Sequence, residues 1–274
     1  MKIKISVITL LIICTSLLAQ KKPKIQGSKV IVDVYKSLED FSAIEISDNL
    51  VVSLTQTEQN GYHLKTDDNL IGIVRFDVED DVLKIYTINR ITSYKKLEIN
   101  VTFKQVDKIA IRDEVELESL NKLNCKELTF TAINDTKYKL DLAIENGTFL
   151  FSDSTKGELL LRGIKANLIL NENAYLNTTV SMDTISLNVN KRSDINISGD
   201  VLDLQLTATG STDIKAKKLK ATSANIIASN YSDIYMYVGS DLKLYAQGKS
   251  NIYVYGNPNI QVEGLNDKSQ IIKK

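Results

Sequence analysis

Three aspartates recur at nearly equal spacing in the C-terminal half of the chain. Asp194, Asp213 and Asp233 lie 19 and 20 residues apart, and an isoleucine follows each of them. If copies of a repeat stack on one another, these carboxylates form a row, and several oxygens in a row could hold Ca²⁺ or a polyol. Alternatively, each aspartate closes a turn with its own backbone. The sequence favours the turn, because the glycine-rich nonapeptide of calcium-binding repeats does not occur.

Four tyrosines near the C-terminus form a second group of candidate residues. Strict alternation of inward and outward side chains predicts the following outward positions: Tyr235, Tyr237, Tyr253 and Tyr255. Pairs of exposed rings on neighbouring repeats could offer a platform to a sugar or to a partner protein. The rings could also pack against each other across the strands and stabilise the sheet. These tyrosines are the predicted ligand-binding residues.

Other catalytic arrangements are scarce in this sequence. The chain has one histidine, His63, and its only cysteines are Cys14 and Cys125. A lone thiol without a nearby histidine is typical of a small buried apolar residue. Two carboxylates such as Asp194 and Asp213 could act as acid and base on a polysaccharide, so a β-helix polysaccharide-processing enzyme remains an alternative. Because phosphate-binding loops and zinc-ligand spacings do not occur, we predict no enzymatic activity, no catalytic residues and no cofactor.

The charge composition limits the class of partner. The chain carries 34 basic and 34 acidic side chains, so a polybasic or polyacidic partner is not indicated. Nucleic-acid binding is excluded in the same way, because no basic face can be traced. The predicted partners are a surface glycan or an envelope protein.

The N-terminus has the composition of a signal peptide. Two lysines precede an apolar run over residues 7–18, and Ala19 offers a cleavage site, which predicts a signal peptide over residues 1–19. The run is too short to span a membrane comfortably. Lipidation at Cys14 is not favoured, because a bulky Ile13 stands where a small residue is required. The protein is therefore predicted to be exported to the periplasm, the outer surface or the medium.

A repeat positions all of these candidate residues. Between Thr184 and Asn259 four copies of one unit align, each with two short alternating segments and a polar corner between them. The spacing of 18 to 20 residues predicts one coil of a β-solenoid per copy. The first apolar residue after the corner can be traced through nine coils, at positions 115, 138, 159, 176, 195, 214, 234, 252 and 271.

The repeat also divides the chain. We predict an all-β protein with a leader or spacer over residues 20–40, an N-terminal β cap over residues 41–105 and β-solenoid repeats over residues 106–274. Lys21 to Gln26 is expected to be a disordered spacer because it is short, polar and basic. The cap is expected to cover one end of the stack, since open sheet edges recruit other chains.

The sequence resembles a known family over the range from Phe41 to the C-terminus. FSAIEISDNLVVSLTQ, LKTDDNLIGIVRFDVEDDVLKIYT and the corners TGSTDI and YSDI are similar to the putative auto-transporter adhesin, or head GIN domain, family. The resemblance implies an exported, solenoid-like β protein without established catalytic residues. The function it favours is a non-enzymatic cell-envelope interaction module, with a self-associating structural scaffold as a further alternative.

Overall fold

The computed structural model describes residues 22–274, so the predicted signal peptide and Cys14 lie outside the described residues. The N-terminal region contains β1 (Lys24–Gln26), β2 (Ile31–Ser37), β3 (Ala43–Ile46), β4 (Val51–Gln56), β5 (Gly61–Asp67), β6 (Val74–Glu79), β7 (Val82–Thr87), β8 (Arg90–Ser93) and β9 (Leu97–Phe103), with a 3₁₀ turn at Asp68–Leu70. The repeat region contains β10 (Lys108–Ile111), β11 (Glu116–Ser119), β12 (Leu123–Ala132), β13 (Lys137–Phe151), β14 (Lys156–Leu170), β15 (Tyr175–Lys191), β16 (Asp194–Gly210), β17 (Asp213–Asn230), β18 (Asp233–Ala246), β19 (Asn251–Tyr255), β20 (Asn259–Leu265) and β21 (Gln270–Lys273). Within residues 22–274, no helix is long and apolar enough to cross a membrane.

From β10 onward the chain winds into stacked parallel coils. Each coil has one strand before a corner and one strand after it, and the long strands β13 to β18 continue from the second strand of one coil into the first strand of the next. Equivalent residues lie directly above one another; Asp194, for example, pairs with Asp213, which in turn pairs with Asp233. The predicted fold class, an all-β solenoid of about nine coils, is confirmed.

The core is a set of apolar ladders that the parallel register creates. One ladder in the strands before the corner consists of Leu168, Leu187, Leu206, Ile226 and Leu244. All five side chains are at most 1% exposed. Removal of such a side chain from water contributes about 1.5–3 kcal/mol to the free energy of unfolding. The stacking of equivalent apolar side chains therefore stabilises the contact between neighbouring coils.

The corners are built by a left-handed residue followed two positions later by a buried Ser, Thr or Ala. Residues with positive φ at this point are Asp153, Glu172, Lys191, Gly210, Asn230, Gly248 and Asp267. In three corners the hydroxyl donates to the carbonyl three residues earlier: Ser232 Oγ to Ser229 O and Ser250 Oγ to Gln247 O at 2.8 Å, and Ser269 Oγ to Asn266 O at 2.5 Å. At Thr155, Ser193 and Thr212 the buried hydroxyl has no hydrogen-bond partner among residues 22–274, so the corners share the left-handed backbone residue rather than one side-chain bond.

The register of two coils differs from the sequence prediction. Leu117 pairs with Tyr138, and Tyr138 pairs with Gly157, so position 115 lies two residues before the aligned position and position 159 two residues beyond it. Gly157 has no side chain to contribute to the apolar column. The Tyr138 ring fills that space, because a Cβ atom on Gly157 would lie 2.1 Å from a ring carbon of Tyr138.

The parallel stack continues into the N-terminal region across the predicted boundary at residue 105. Strand β3 lies between β10 and β7, and β4 lies between β11 and β9, all with parallel pairing. Beyond them the pairing becomes antiparallel, with β6 on β7 and with β5 on β9 followed by β2 on β5. These antiparallel strands cover one end of the solenoid, as expected for edges that would otherwise recruit other chains.

The segment predicted as a spacer contains two strands. β1 pairs in parallel with β8, and β2 pairs with β5. The buried carboxylate of Asp67 fixes this segment, since it accepts backbone N–H groups from Lys29, Lys95 and Lys96 at 2.9–3.2 Å. Burial alone would raise the pKa of Asp67, but these N–H groups outweigh it, and the pKa is lowered. The order of the segment thus comes from residues far away in the sequence.

Candidate ligand-binding surface

The four predicted tyrosines lie together on the strands after the corner. Tyr235 pairs with Tyr253, and Tyr237 with Tyr255, across β18 and β19. The rings of Tyr235 and Tyr253 are stacked, with centroids 4.5 Å apart and planes 5° apart. The structure therefore confirms that these side chains face outward from the core and shows that two of them pack on each other.

Lysines cover further ring faces of this group. Lys217 Nζ lies 4.5 Å from the ring centroid of Tyr255, and Lys274 Nζ lies 5.5 Å from that of Tyr253. Exposed cation–π contacts of this kind contribute about 0.5–1 kcal/mol each. We call Tyr235, Tyr237, Tyr253 and Tyr255, with Lys217 and Lys274, the tyrosine patch. Ring stacking and the lysines cover ring faces of Tyr235, Tyr253 and Tyr255. A ligand can therefore reach the hydroxyls, the ring edges and the side chain of Tyr237, which is 37% exposed.

Tyr237 also borders a shallow depression beside the patch. The depression has a volume of about 560 Å³ and is lined in addition by Asp200, Leu202 and Lys220. Leu202 is 59% exposed, which is high for a large apolar side chain. An aromatic ring, an aliphatic surface, an ammonium group and the carboxylates of Asp183 and Asp200 thus meet at one concave site.

The hydroxyl of Tyr235 stays protonated well into the alkaline range. Its partial burial, followed by the neighbouring Tyr253 and the carboxylates of Asp233 and Asp213, raises its pKa. At physiological pH this group is therefore a neutral hydrogen-bond donor and acceptor.

The row of aspartates is present as predicted, and one oxygen of each carboxylate already has a partner, whereas Asp213 Oδ1 is buried without a hydrogen-bond partner among residues 22–274. Asp194 Oδ1 accepts the backbone N–H of Asp213 at 3.0 Å. Asp213 Oδ2 forms an ion pair with Lys215 Nζ at 2.8 Å and thereby raises the pKa of that lysine. Asp233 Oδ1 accepts from Asn251 Nδ2 at 2.8 Å. Among residues 22–274, no group of three or more His, Cys, Asp and Glu is placed to hold a metal ion, and metal binding by the aspartates stays a prediction.

Cys125 does not form a reactive site. It is 8% exposed within the core, and burial, with a contribution from Asp107, raises the pKa of its thiol to about 11. The thiol is therefore protonated near neutral pH, which agrees with its predicted role as a small apolar residue.

A further surface was not singled out by the sequence reasoning. On β12 to β17, two outward rows of the strands before the corner run through six coils, and their members are Thr129, Thr148, Asn167, Ser186, Gln205 and Asn225 in one row and Thr131, Leu150, Ile169, Asn188, Thr207 and Ile227 in the other. We call these two rows the uncharged face. The signal becomes visible only after the coils are aligned in their true register.

The comparisons with known proteins agree with this architecture. The family model described as "Putative auto-transporter adhesin, head GIN domain" matches residues 40–258. The fold is similar to crystal structures described as a putative adhesin from Parabacteroides merdae (TM-score 0.66, 17% identity, covering 92% of this chain and 99% of that one) and a putative adhesin from Parabacteroides distasonis (0.65, 18%, 92% and 100%). A structure described as a putative lipid binding protein from P. distasonis is similar as well (0.64, 18%, 92% and 99%).

At these identities the structural likeness shows a shared fold. None of the curated proteins compared with the chain matches it. The family model, however, spans most of the sequence. The chain therefore belongs to the putative auto-transporter adhesin, head GIN domain, family.

Proposed function

We propose that this protein is an exported, non-enzymatic module of the cell envelope that binds a surface glycan through the tyrosine patch. Membership of an adhesin family supports a surface role. Signal-peptide cleavage near Ala19 would deliver the mature chain to the periplasm, the outer surface or the medium.

The observation that carries this proposal is the convergence of tyrosines and lysines next to a depression. Tyr237 and Lys220 line that depression, while Lys217 and Lys274 contact the neighbouring rings. Tyrosine hydroxyls and ring edges suit the hydroxyls and C–H groups of a sugar. The ammonium group of Lys220 and the carboxylates of Asp183 and Asp200 can each form hydrogen bonds with sugar hydroxyls.

The aspartates support a non-enzymatic role. A general acid or base must be free to exchange a proton with the substrate. Asp194 is engaged with backbone, and Asp213 is paired with Lys215. Both contacts favour a fixed carboxylate at the corner of the coil.

The test is glycan-array binding by the mature protein and by the Tyr235→Ala/Tyr253→Ala variant. Loss of two aromatic contacts should weaken binding by about tenfold or more. Tyr94→Ala is the matched control, because Tyr94 is 51% exposed in the N-terminal region, away from the patch. Lys217→Gln/Lys274→Gln, which alters only surface groups, separates loss of contact from loss of folding.

Equal binding by wild type and both patch variants would contradict the proposed surface. Release of reducing or unsaturated sugar ends, abolished by Asp213→Ala, would contradict the non-enzymatic assignment. Circular dichroism and thermal melting of each variant establish that it is folded.

A further inference from the structure

The uncharged face differs from the rest of the surface in its chemistry. Its twelve positions span six coils without one charged side chain, in a chain of which 25% is charged. The first row is bounded by lysines, since Lys108 pairs with Thr129 at one end and Lys243 pairs with Asn225 at the other. The adjacent outward row on the same strands holds Glu127, Lys165 and Asp203, so the fold tolerates charge there and does not require this exclusion.

The face carries many uncommitted hydrogen-bonding groups. Its polar members are amides and hydroxyls, each of which can donate and accept. Asn188 Nδ2 contacts Asn167 Oδ1 at 3.5 Å, a long bond that leaves most of both amides available. Aliphatic side chains lie between these groups, and Ile227 is 44% exposed.

A depression on this face provides a concave seat. It has a volume of about 600 Å³, and its lining includes Thr148, Asn167, Ser186 and Asn188. Glu127 and Lys165, from the adjacent outward row, complete the lining on one side.

We propose that the uncharged face is a second binding site that takes a neutral, linear polysaccharide. A neutral sugar chain presents hydroxyls that pair with amides and hydroxyls, and apolar C–H faces that pack on Leu150, Ile169 and Ile227. A charged side chain under such a ligand would lose its hydration without gaining a counter-charge, which explains its exclusion.

Other occupants fit this surface less well. An anionic polymer requires Lys or Arg along its path. A stable protein interface is centred on aromatic or Arg anchors, and the twelve positions contain neither. A repeating polymer instead matches a repeating surface, because each coil adds a similar set of contacts and the affinity grows with chain length.

This site lies on the strands before the corner, whereas the tyrosine patch lies on the strands after it. Either proposal can therefore be refuted without affecting the other. The uncharged face should retain its ligand in Tyr235→Ala/Tyr253→Ala.

The test is depletion of the mature protein by insoluble neutral polysaccharides, namely amorphous cellulose, β-1,3-glucan and β-mannan, with pectate as the anionic polymer. Asn188→Lys/Thr207→Lys places two charges on neighbouring coils of the face, since these residues pair across β15 and β16. Asn177→Lys/Asn196→Lys is the matched control. It adds the same charge at paired outward positions of β15 and β16, but in the part of each strand that follows the corner and lies off the uncharged face.

Wild type and control should bind at least one neutral polymer, and the face variant should bind it about tenfold or more weakly. Asn188→Asp/Thr207→Asp should lose binding equally, since a neutral ligand rejects charge of either sign. No binding of wild type to any of the three neutral polymers, equal loss in face and control variants, or a preference for pectate that the Lys variant increases would each overturn the proposal. Thermal melting of all variants shows whether they are folded.

Discussion

The two outer surfaces of the same coils differ sharply in chemistry although they share one core. Before the corner, the uncharged face shows only amides, hydroxyls and aliphatic groups. After the corner, the outward rows of β13 and β14 include Lys137, Lys139, Asp141, Lys156, Glu158 and Arg162. Both surfaces rest on parallel ladders with equivalent spacing and on one continuous apolar core. The fold therefore does not determine which side chains occupy the outward positions.

The backbone conformation instead restricts the choice of residue at the joints between these surfaces. The corner joins the first strand of a coil to the second and requires a left-handed residue. The bend joins the second strand to the first strand of the next coil, and Gly163 lies there with φ at +145°. Substitutions at a joint should thus have much larger effects than substitutions on either surface.

The largest effect is expected for Gly163→Ala. A Cβ atom at this position would lie 1.7 Å from the carbonyl oxygen of Ile144 in the neighbouring coil, and φ is unfavourable for alanine. Backbone strain and overpacking together should lower the free energy of unfolding by about 3 kcal/mol or more. Denaturant unfolding followed by circular dichroism measures this change.

Gly239→Ala is the control for the bend. The atom nearest to a Cβ added at this position is the carbonyl oxygen of Ala221 at 3.6 Å, an ordinary contact. A change within about 0.5 kcal/mol is expected there. Equal destabilisation by the two substitutions would refute the assignment of strain to Gly163.

A moderate gain in stability is expected for Lys191→Asn at a corner. Lys191 adopts φ of +62°, which a lysine tolerates poorly, whereas Asn230 occupies the equivalent corner two coils later. Asparagine visits this region more readily, so the free energy of unfolding should rise by about 0.5–1 kcal/mol despite loss of the exposed ion pair with Glu172. Lys191→Ala removes the same ion pair without relieving the strain, and its stability should not increase.

The sequence predicted the coils because their apolar columns repeat at constant spacing, and it misplaced two of them for a physical reason. An alignment of apolar residues assumes that every core position carries an apolar side chain, whereas packing requires only that a neighbouring side chain fill the space. Tyr138 is 3% exposed, and its ring is stacked on that of Phe151 with centroids 4.9 Å apart. This ring fills the space that a side chain at position 157 would occupy. A glycine can therefore occupy a core position that an alignment of apolar residues skips.

The order of the N-terminal segment and the candidate surfaces was predictable to different degrees. β1 is held by its pairing with β8, more than 60 residues away, and by Asn69 Nδ2, which donates to Gln26 O, and no local sequence pattern predicts such contacts. Alternation did place Tyr235 and Tyr253 on the outside. Their stacking could not be predicted, because the side-chain angles depend on the neighbouring coil.

The smallest effect, and the most direct test of the contrast between the surfaces, is expected for Arg162→Gln. Arg162 Nη1 lies 2.5 Å from Asp141 Oδ1 across neighbouring coils, and both side chains are more than a third exposed. An exposed ion pair of this kind contributes about 0.3 kcal/mol and is screened by salt. A double-mutant cycle with Asp141→Asn should give a coupling of that size at low ionic strength and none in about 1 M salt. Asn188→Gln on the uncharged face should show no such salt dependence. A large coupling that persists in salt would mean that the charged surface also supports the fold, and the outer chemistry of the coils would then not be free.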